Sequence, residues 1–351
     1  LHDALPIWIS SELGLRYSSE SQIKRLLSAG KYLALLYRSI PIRQVEMKGI
    51  FHGEKEPRTL VYLGEGESLS YFRELCFANL QGQKESRCWV HQIDRIQRSL
   101  PDEVIVVAEV NKLLSGMLKG GGYRGYPWLL QKVHINSEAY LARKSHILKK
   151  RSLRVRHRNY RYDTTAEQVA IEDFYHRFYR PYILERFGKM AHLRPAREFF
   201  TSRKHGILLR VFDRDKWVAG MACLINGKEV TSVGSAVLME KEDHLKQGSM
   251  TAAYYYLFQW AEEHGMEVVN LLRSRPHLDD GVFSHKSLWG AVPLRDPWPH
   301  TCYTIRIPVG NPPPGILENQ LVWDGSSFIS LKRAADKAGR ATKVYVNATK
   351  G

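Results

Sequence analysis

The 351-residue sequence is poor in cysteine and has no long apolar run, and both absences narrow its class. No stretch of about 18 apolar residues occurs, so the sequence predicts no integral membrane association. No signal peptide is visible either. The few cysteines show no paired spacing, which argues against a disulfide framework and a zinc site; they are Cys76, Cys88, Cys223 and Cys302. We therefore expect buried, reduced thiols and a cytoplasmic protein.

Several widespread catalytic motifs are also missing. The sequence contains no Walker loop, no G-x-S-x-G elbow and no H-E-x-x-H pair. The stretch Gly120–Gly125 precedes a strand pattern rather than a helix, so it does not fit a dinucleotide-binding fingerprint. Four titratable residues lie near one another later in the chain without any known metal-ligand spacing; they are His277, Asp279, Asp280 and His285. The sequence thus predicts no metal site.

What the chain has in excess is positive charge. It contains 52 Lys and Arg against 36 Asp and Glu, a net charge of +16. Such an excess favours anionic partners, which are nucleic acid, phosphorylated substrates or an anionic lipid surface, and charge alone leaves all three open. Nine of the basic residues lie in residues 143–161, which contain no acid. That segment is either a solvated connector or a phosphate-contacting stretch at a domain junction.

The length and an apolar fraction of 44% predict two domains with real cores. The first half has a mixed α/β pattern. Its strongest strand signal is Val104–Val110, a β-branched run typical of a strand buried on both faces. The other predicted elements of this half are the strands Thr59–Leu63 and Trp128–Ile135 and the helix Leu69–Leu80.

From residue 165 the pattern predicts the order helix, helix, three antiparallel strands, helix, strand, helix, strand. Asn226-Gly227 is the strongest hairpin signal, and Gly265 is a good helix stop. The predicted helices are 166–187, 195–204, 248–264 and 282–289. The predicted strands are Ile207–Phe212, Trp217–Leu224, Glu229–Leu238, Glu267–Leu272 and Tyr303–Pro308.

The turn before the long helix is a candidate anion site. A meander followed by a crossover helix places a helix N-terminus beside a strand end, where backbone N–H groups and the helix dipole face outward. Gly248 permits close backbone approach, and Ser249 or Thr251 is expected to cap the helix. An ordinary capped helix start is the alternative interpretation of this segment. The turn consists of Lys246, Gln247, Gly248, Ser249, Met250 and Thr251.

With this element order, three segments resemble the GNAT-like acyltransferases, in particular the branch of CelD/BioF2-like acetyltransferases and FemABX peptidyltransferases. They are the Gln247-Gly248 turn, the run Arg273–Pro276 and the run His285–Gly290, and the resemblance covers residues 150 to 295. It implies an α/β fold of the acyl-CoA N-acyltransferase type with two tandem lobes. The expected segments are a degenerate lobe over 8–150, the acyltransferase domain over 151–308 and a basic C-terminal tail over 309–351.

The resemblance also implies an activity, the transfer of an acyl group, acetyl in the first instance, from acyl-CoA to an amine by direct attack. The donor is expected between splayed strands near Val233, against the turn that contains Gln247, Gly248, Ser249, Met250 and Thr251. That turn matches only part of the family's phosphate-binding loop, Gln/Arg-x-x-Gly-x-Gly/Ala. No resident cofactor or metal is implied, and the expected acceptor is a small-molecule or cell-envelope amine of a bacterial cell.

Two later segments supply the candidate catalytic and substrate-binding residues. Lys286 stands where the FemABX-like branch has a lysine, which stabilises negative charge or holds a phosphate; a surface lysine is the alternative. The loop after the predicted strand Glu267–Leu272 offers Arg273, Arg275 and His277 for a phosphorylated or carboxylated substrate, and Asp280 to orient or deprotonate the amine.

Two other functions stay open at this point. An aminoacyl-tRNA-dependent transferase of the FemABX type would account for the net charge of +16 through RNA binding. A non-catalytic polyanion-binding protein on a degenerate scaffold would account for the incomplete phosphate loop.

Overall fold

The strands of the described residues form two large sheets and one small one. In the computed structural model, the described residues are 41–66, 68–118, 122–143, 159–188, 193–196, 199, 206–240, 244–296, 301–308 and 314–337. The strands in chain order are β1 Pro41–Phe51, β2 Pro57–Gly64, β3 Phe77–Trp89, β4 Ile105–Asn111, β5 Tyr123–Gly125, β6 Leu129–His134, β7 Tyr160–Thr165, β8 Gly206–Asp213, β9 Lys216–Asn226, β10 Glu229–Val237, β11 Val268–Ser274, β12 Val292–Arg295, β13 Thr301–Arg306, β14 Leu321–Trp323 and β15 Phe328–Ser330.

The described residues contain nine α-helical segments between β1 and β14. They are α1 Leu69–Cys76, α2 Ile93–Ser99, α3 Glu138–Arg143, α4 Gln168–Asp173, α5 Arg180–Phe187, α6 His244–Gln247, α7 Ser249–Glu263, α8 Gly281–Leu288 and α9 Pro314–Asn319. Residues 331–337 are also helical. A π-helical turn, Phe174–Tyr179, joins α4 to α5, and four of its aromatic side chains are buried.

The chain divides into two compact units, each made of separate segments. Unit 1 takes the described residues within Leu1–Leu129, Arg275–Phe283 and Leu294–Gly351, and unit 2 takes those within Leu130–Ser274 and Ser284–Pro293. The main sheets are a six-stranded sheet of order β3-β1-β2-β4-β13-β5 and a seven-stranded sheet of order β12-β6-β11-β10-β9-β8-β7. The predicted α/β class is confirmed, and the structure has two large sheets.

Unit 1 differs from its predicted elements in two places. The predicted helix Leu69–Leu80 ends at Cys76, because Phe77 onward pairs with β1, for example Asn79 with Ile50. β3 was missed because its side chains are exposed at most positions, so they show no alternation. The predicted strand Tyr303–Pro308 corresponds to β13, which lies in the sheet of unit 1. It pairs antiparallel with β4 and β5.

The predicted C-terminal tail is wrong for the residues that the structure describes within it. Residues 314–337 form a helix, a two-stranded hairpin and a further helix, and they supply core side chains to unit 1. Ile316, Val322, Ile329 and Leu331 pack with Phe72 and Tyr303. These four apolar positions are separated by charged and turn residues, which hid them in the sequence. Residues 309–313 and 338–351 lie outside the described residues.

In unit 2 the three predicted antiparallel strands, the long helix and the strand after it are present as β8, β9, β10, α7 and β11, whereas β7 was not predicted. β7, β8, β9 and β10 form an antiparallel meander, α7 crosses over, and β11 returns parallel to β10. The aromatic residues of the π-turn pack under this sheet: an added Cβ at Gly220 would meet the Phe174 ring at 2.9 Å. Most of the predicted helix 195–204 and of the basic segment 143–161 lies outside the described residues.

The place of residues 314–337 in the core of unit 1 can be tested by truncating Leu331, which is fully buried. Leu331→Ala should lower the free energy of unfolding by about 2–5 kcal/mol, the usual cost of removing a buried leucine side chain. Denaturant unfolding measures the change. Arg333→Ala, an exposed change two residues away, should cost less than about 0.5 kcal/mol. If Leu331→Ala and Arg333→Ala changed the free energy of unfolding by equally small amounts, residues 314–337 would not be part of the core of unit 1.

Candidate active site

The central feature of unit 2 is a gap between two parallel strands. β10 and β11 pair only at Glu229 with Val268, Val230 with Val269 and Thr231 with Asn270. In the described residues 232–237 and 271–274 no further pair links the two strands. Since a strand advances about 3.3 Å per residue, β10 presents a wall of roughly 20 Å without a neighbour on that side.

The wall of β10 is shaped by a bulge at Val233. The β9–β10 register shifts between Ser232 and Gly234, so Val233 is the extra residue. On one face of the bulge, an added Cβ at Gly234 would lie 2.6 Å from the Phe199 ring and 3.0 Å from Tyr179. Glycine is therefore needed for the aromatic rings to approach β10 this closely. A bulge of this kind turns backbone groups out of their ladder. That Val233 borders the donor stays a prediction.

A polar cluster joins β6, β10 and β11 where they are still paired. The Glu229 carboxylate accepts hydrogen bonds from Lys132 Nζ at 2.6 Å and Asn270 Nδ2 at 2.7 Å. The Asn270 Oδ1 atom accepts the backbone N–H of Leu272 at 3.0 Å. Leu272 has φ +59°, a left-handed conformation rare for a non-glycine residue. β11 thus changes direction immediately after its last pair with β10.

The predicted anion-binding turn is an open corner. Gly248 is the N-cap of α7 with φ +94°, and an added Cβ there would meet nothing within 4 Å. The expected side-chain cap is absent, because the Ser249 hydroxyl donates instead to the His244 carbonyl at 2.6 Å. A helix start leaves its first N–H groups without intrahelical partners.

The side chains around this corner face different ways. Ser249 and Met250 are buried and Met250 belongs to the core of unit 2, so only their backbone can serve a ligand. Gln247 and Thr251 are half-buried. The Gln247 carbonyl accepts the Tyr160 hydroxyl at 3.4 Å, which holds the turn against β7.

Lys286 is a buried lysine rather than a surface one. Its side chain lies on α8, the residue is 6% exposed, and Nζ donates to the carbonyl of Arg273 at 2.8 Å. Arg273 lies three residues beyond Asn270, the last paired residue of β11, so this ammonium group lies roughly 10 Å farther along the unpaired part of the strand. Gln131, fully buried, bonds to the hydroxyls of Ser274 and Ser287 next to these two residues.

Tyr254, one turn into α7, reaches the wall of β10 from the other side. It is hydrogen-bonded to Ser235, two residues after the bulge, and its ring stacks on Trp289 and contacts His285 edge-on. Burial raises the pKa of Tyr254 to about 12, against the lowering by Ser235. The phenol is therefore protonated at neutral pH. Tyr254 was not predicted as a site residue, because the run Tyr254–Tyr256 does not itself show which of its rings reaches β10.

The other predicted substrate residues belong to unit 1 and have structural partners there. The Arg275 guanidinium stacks over Trp128 at 3.9 Å and Tyr71 at 4.9 Å. His277 forms a β-bridge with Gln320. Asp280 Oδ1 accepts the N–H of Phe283 at 2.7 Å, as an N-cap of α8 does. Their roles in catalysis or substrate binding stay predictions.

The described residues also show the state of the cysteines, the grouping of metal-binding side chains and the apolar character of the helices. The four cysteines are free and buried, as predicted. Among the residues that the structure describes, no cluster of three or more His, Cys, Asp or Glu side chains has an arrangement that would bind a metal ion. None of the described helices combines the length and the apolar character needed to cross a bilayer.

The comparisons with known proteins give structural relatives only. No protein-family model matches the sequence, and no curated protein matches it. Solved structures do match. They include GCN5-related N-acetyltransferases, FemX and L-PGS.

All three similarities are weak. L-PGS from Bacillus licheniformis is 13% identical with a TM-score of 0.37, over 74% of this chain and 83% of that one. FemX is 12% identical with a TM-score of 0.38, over 71% and 81%. The GCN5-related N-acetyltransferase from Sphaerobacter thermophilus is 12% identical with a TM-score of 0.33, over 71% of each chain. With such low values, the function has to follow from the residues of this chain.

The Glu229 cluster has a pH dependence of predictable sign. Burial alone would raise the pKa of Glu229, but hydrogen bonds from Lys132 and Asn270 lower it overall. Its stabilising effect is therefore complete above the ordinary carboxyl pKa and is lost as pH falls through the lowered value. Glu229→Gln should cost up to about 1 kcal/mol at neutral pH, because solvent screens the partly exposed pair.

This difference between wild type and Glu229→Gln should vanish at acid pH, where both side chains are neutral. Unfolding free energies measured from neutral pH to below the ordinary carboxyl pKa check it. The control is Glu267→Gln, whose partner Lys228 is exposed. A difference that stays constant with pH would show that the ion pair does not stabilise the fold.

Proposed function

We propose that the chain is an N-acyltransferase that moves an acyl group, acetyl in the simplest case, from acyl-CoA to an amine by direct attack. The observation that carries the proposal is the gap between β10 and β11. The pairing of these two strands stops after three residue pairs. A continuous sheet has no room for a substrate between neighbouring strands, which lie only about 4.8 Å apart. The gap supplies that room and exposes backbone groups along it.

Two features of the gap suit a phosphorylated thioester. The open corner at Gly248 offers backbone N–H groups at a helix start, which favour phosphate. Donors of this kind, fixed before the substrate arrives, also suit a developing oxyanion beside Val233. An acyl-CoA held there would have its pantetheine arm along β10 and its phosphates at the corner.

Lys286 completes the proposed chemistry as the cation near the leaving group. When an amine attacks the thioester, the new C–N bond forms, the C–S bond breaks and negative charge moves to sulfur. A buried ammonium group fixed by the Arg273 carbonyl stabilises that charge without reorganising water. The amine must lose a proton, and the solvent or a group of the acceptor complex takes it.

The second candidate is transfer from an aminoacyl-tRNA, which the net charge of +16 favours. Its donor is an ester rather than a thioester, and the leaving group is a ribose hydroxyl. Lys286 would stabilise the negative charge on that oxygen in the same way. The two candidate functions therefore differ in the molecule that carries the acyl group, CoA or tRNA. Both use the gap between β10 and β11 in the same way.

A direct assay separates these functions. Purified protein is incubated with acetyl-CoA and a panel of amines, and released CoA is followed with a thiol reagent. All four cysteines are buried and burial raises the pKa of each thiol, so we expect a low background from the protein itself. If product forms only with charged tRNA, and RNase treatment abolishes it, the protein is an aminoacyl-tRNA-dependent transferase. Strongly salt-dependent polyanion binding with neither product would sink both.

Lys286 should matter for turnover more than for substrate binding. Lys286→Met keeps the length of the side chain and removes its charge, so we expect kcat to fall by about 10²–10³ with a smaller change in KM. Steady-state kinetics over a range of acetyl-CoA concentrations measure both. Lys228→Met, which removes an exposed lysine of the same unit, should leave kcat unchanged. Equal kcat values for the two variants would remove Lys286 from the mechanism.

The corner at Gly248 has a matched control at Gly227. Both glycines have left-handed φ, +94° and +57°, and an added Cβ meets nothing within 4 Å at either. Gly248→Ala and Gly227→Ala should therefore each cost about 1–2 kcal/mol of stability through backbone strain. Only Gly248→Ala should raise KM for acetyl-CoA, because its backbone adjoins the proposed phosphates. An equal KM for both variants would place the donor elsewhere.

A further inference from the structure

The N–H group of Leu272 decides whether β11 continues its pairing with β10. The backbone N–H of Val268 donates to the Lys228 carbonyl, just before β10, at 3.2 Å. Alternate residues of a parallel strand point their backbone groups at the same neighbour. Asn270 and Leu272 therefore face β10 as Val268 does, and the Leu272 N–H is the next donor of the ladder.

That donor is taken by a side chain instead of by β10. Asn270 Oδ1 accepts the Leu272 N–H at 3.0 Å. The other end of the same carboxamide is fixed, because Nδ2 donates to Glu229 Oε1 at 2.7 Å on β10. Lys132 holds Glu229 from β6 at 2.6 Å. One buried amide, 8% exposed, thus binds the first paired residue of β10 and satisfies the first N–H donor of β11 beyond the last pair.

The backbone conformation at Leu272 agrees with this arrangement. Its φ of +59° takes β11 out of the extended region, at a cost that a non-glycine residue accepts only where its surroundings impose it. A side chain with no acceptor at position 270 would leave the Leu272 N–H to find a carbonyl of β10. Extended geometry and continued pairing would then satisfy that group best.

We infer that Asn270 is a positioning residue that keeps the β10–β11 gap open, by occupying the ladder donor of Leu272 and anchoring itself on Glu229. The inference rests on the proposed function only for the statement that the gap binds an acyl donor. That the gap depends on Asn270 is a statement about backbone pairing, and it holds for any substrate.

Asn270→Val removes both hydrogen-bonding ends and introduces a β-branched side chain that favours an extended strand. The strands should then pair past Thr231. Hydrogen exchange followed by mass spectrometry should show amides in 232–237 and 271–274 slowed by at least about tenfold. Binding of acetyl-CoA, measured by calorimetry, should be lost in parallel.

Two further variants make the test independent of whether Asn270→Val folds. Asn270→Asp keeps an acceptor for the Leu272 N–H, so exchange across the gap should stay within about threefold of wild type although the new carboxylate faces Glu229. Thr231 is the residue of β10 that pairs with Asn270, and its side chain also hydrogen-bonds Glu229. Thr231→Val should leave the hydrogen exchange of the amides in 232–237 and 271–274 unchanged.

The two proposals fail in different ways. Unchanged exchange in Asn270→Val, or a gap that closes in Asn270→Asp, would overturn the role of Asn270. In wild type, a Leu272 amide that exchanges as fast as an unbonded one would overturn it as well. Wild-type protein that binds no acetyl-CoA while Asn270→Val slows exchange would overturn acyl-CoA as the donor and leave the role of Asn270 intact.

Discussion

The architecture of unit 2 depends on one interrupted row of backbone hydrogen bonds. In the rest of its sheet, four strands run as an antiparallel meander with a bulge at Val233, and β11 joins them through a crossover helix. A parallel pair that stops after three residues leaves backbone donors and acceptors without strand partners, which costs free energy unless other groups bind them. The polar groups around the gap meet part of that requirement from within the chain, and a substrate would meet the rest.

The rigidity of the gap comes from packing beneath it. The buried aromatic rings of the π-turn and Phe199 press on β9 and β10 at Gly220 and Gly234, where a side chain larger than hydrogen would collide with them. Such close-packed interiors resist deformation. β10 is thus supported from one face while its edge toward β11 is open, which is the arrangement that a preorganised site needs.

The sequence was informative where local chemistry decides the structure. Asn226-Gly227 marks the β9–β10 hairpin, and Gly248 and Gly265 bracket α7 to within a residue. Positive φ at these glycines is a local requirement, so a local signal finds it. The partners of β13 were not predicted and the predicted end of α1 was wrong, because both depend on strands that are distant in the chain.

The site itself was only half predictable. The corner at Gly248 and the lysine of α8 could be proposed from their positions, but the burial of Lys286 could not, since eight residues of helix do not show which face is covered. Asn270 gave no signal, because a single asparagine in a strand pattern looks like any polar residue. Its importance lies in a bond to a backbone N–H two residues away and another to a different strand, and neither has a sequence signature.

The neighbours of β4 carry a consequence for synthesis on the ribosome. All seven residues of this strand are buried, and one of its two partners, β13, begins 301 − 111 = 190 residues after β4 ends. At about 5–20 residues per second, that partner is made roughly 10–40 s later. Until then an apolar strand presents an open edge, the usual starting point for intermolecular pairing. Until β13 is made, β4 therefore lacks one of the two strands that cover its edges in the folded unit.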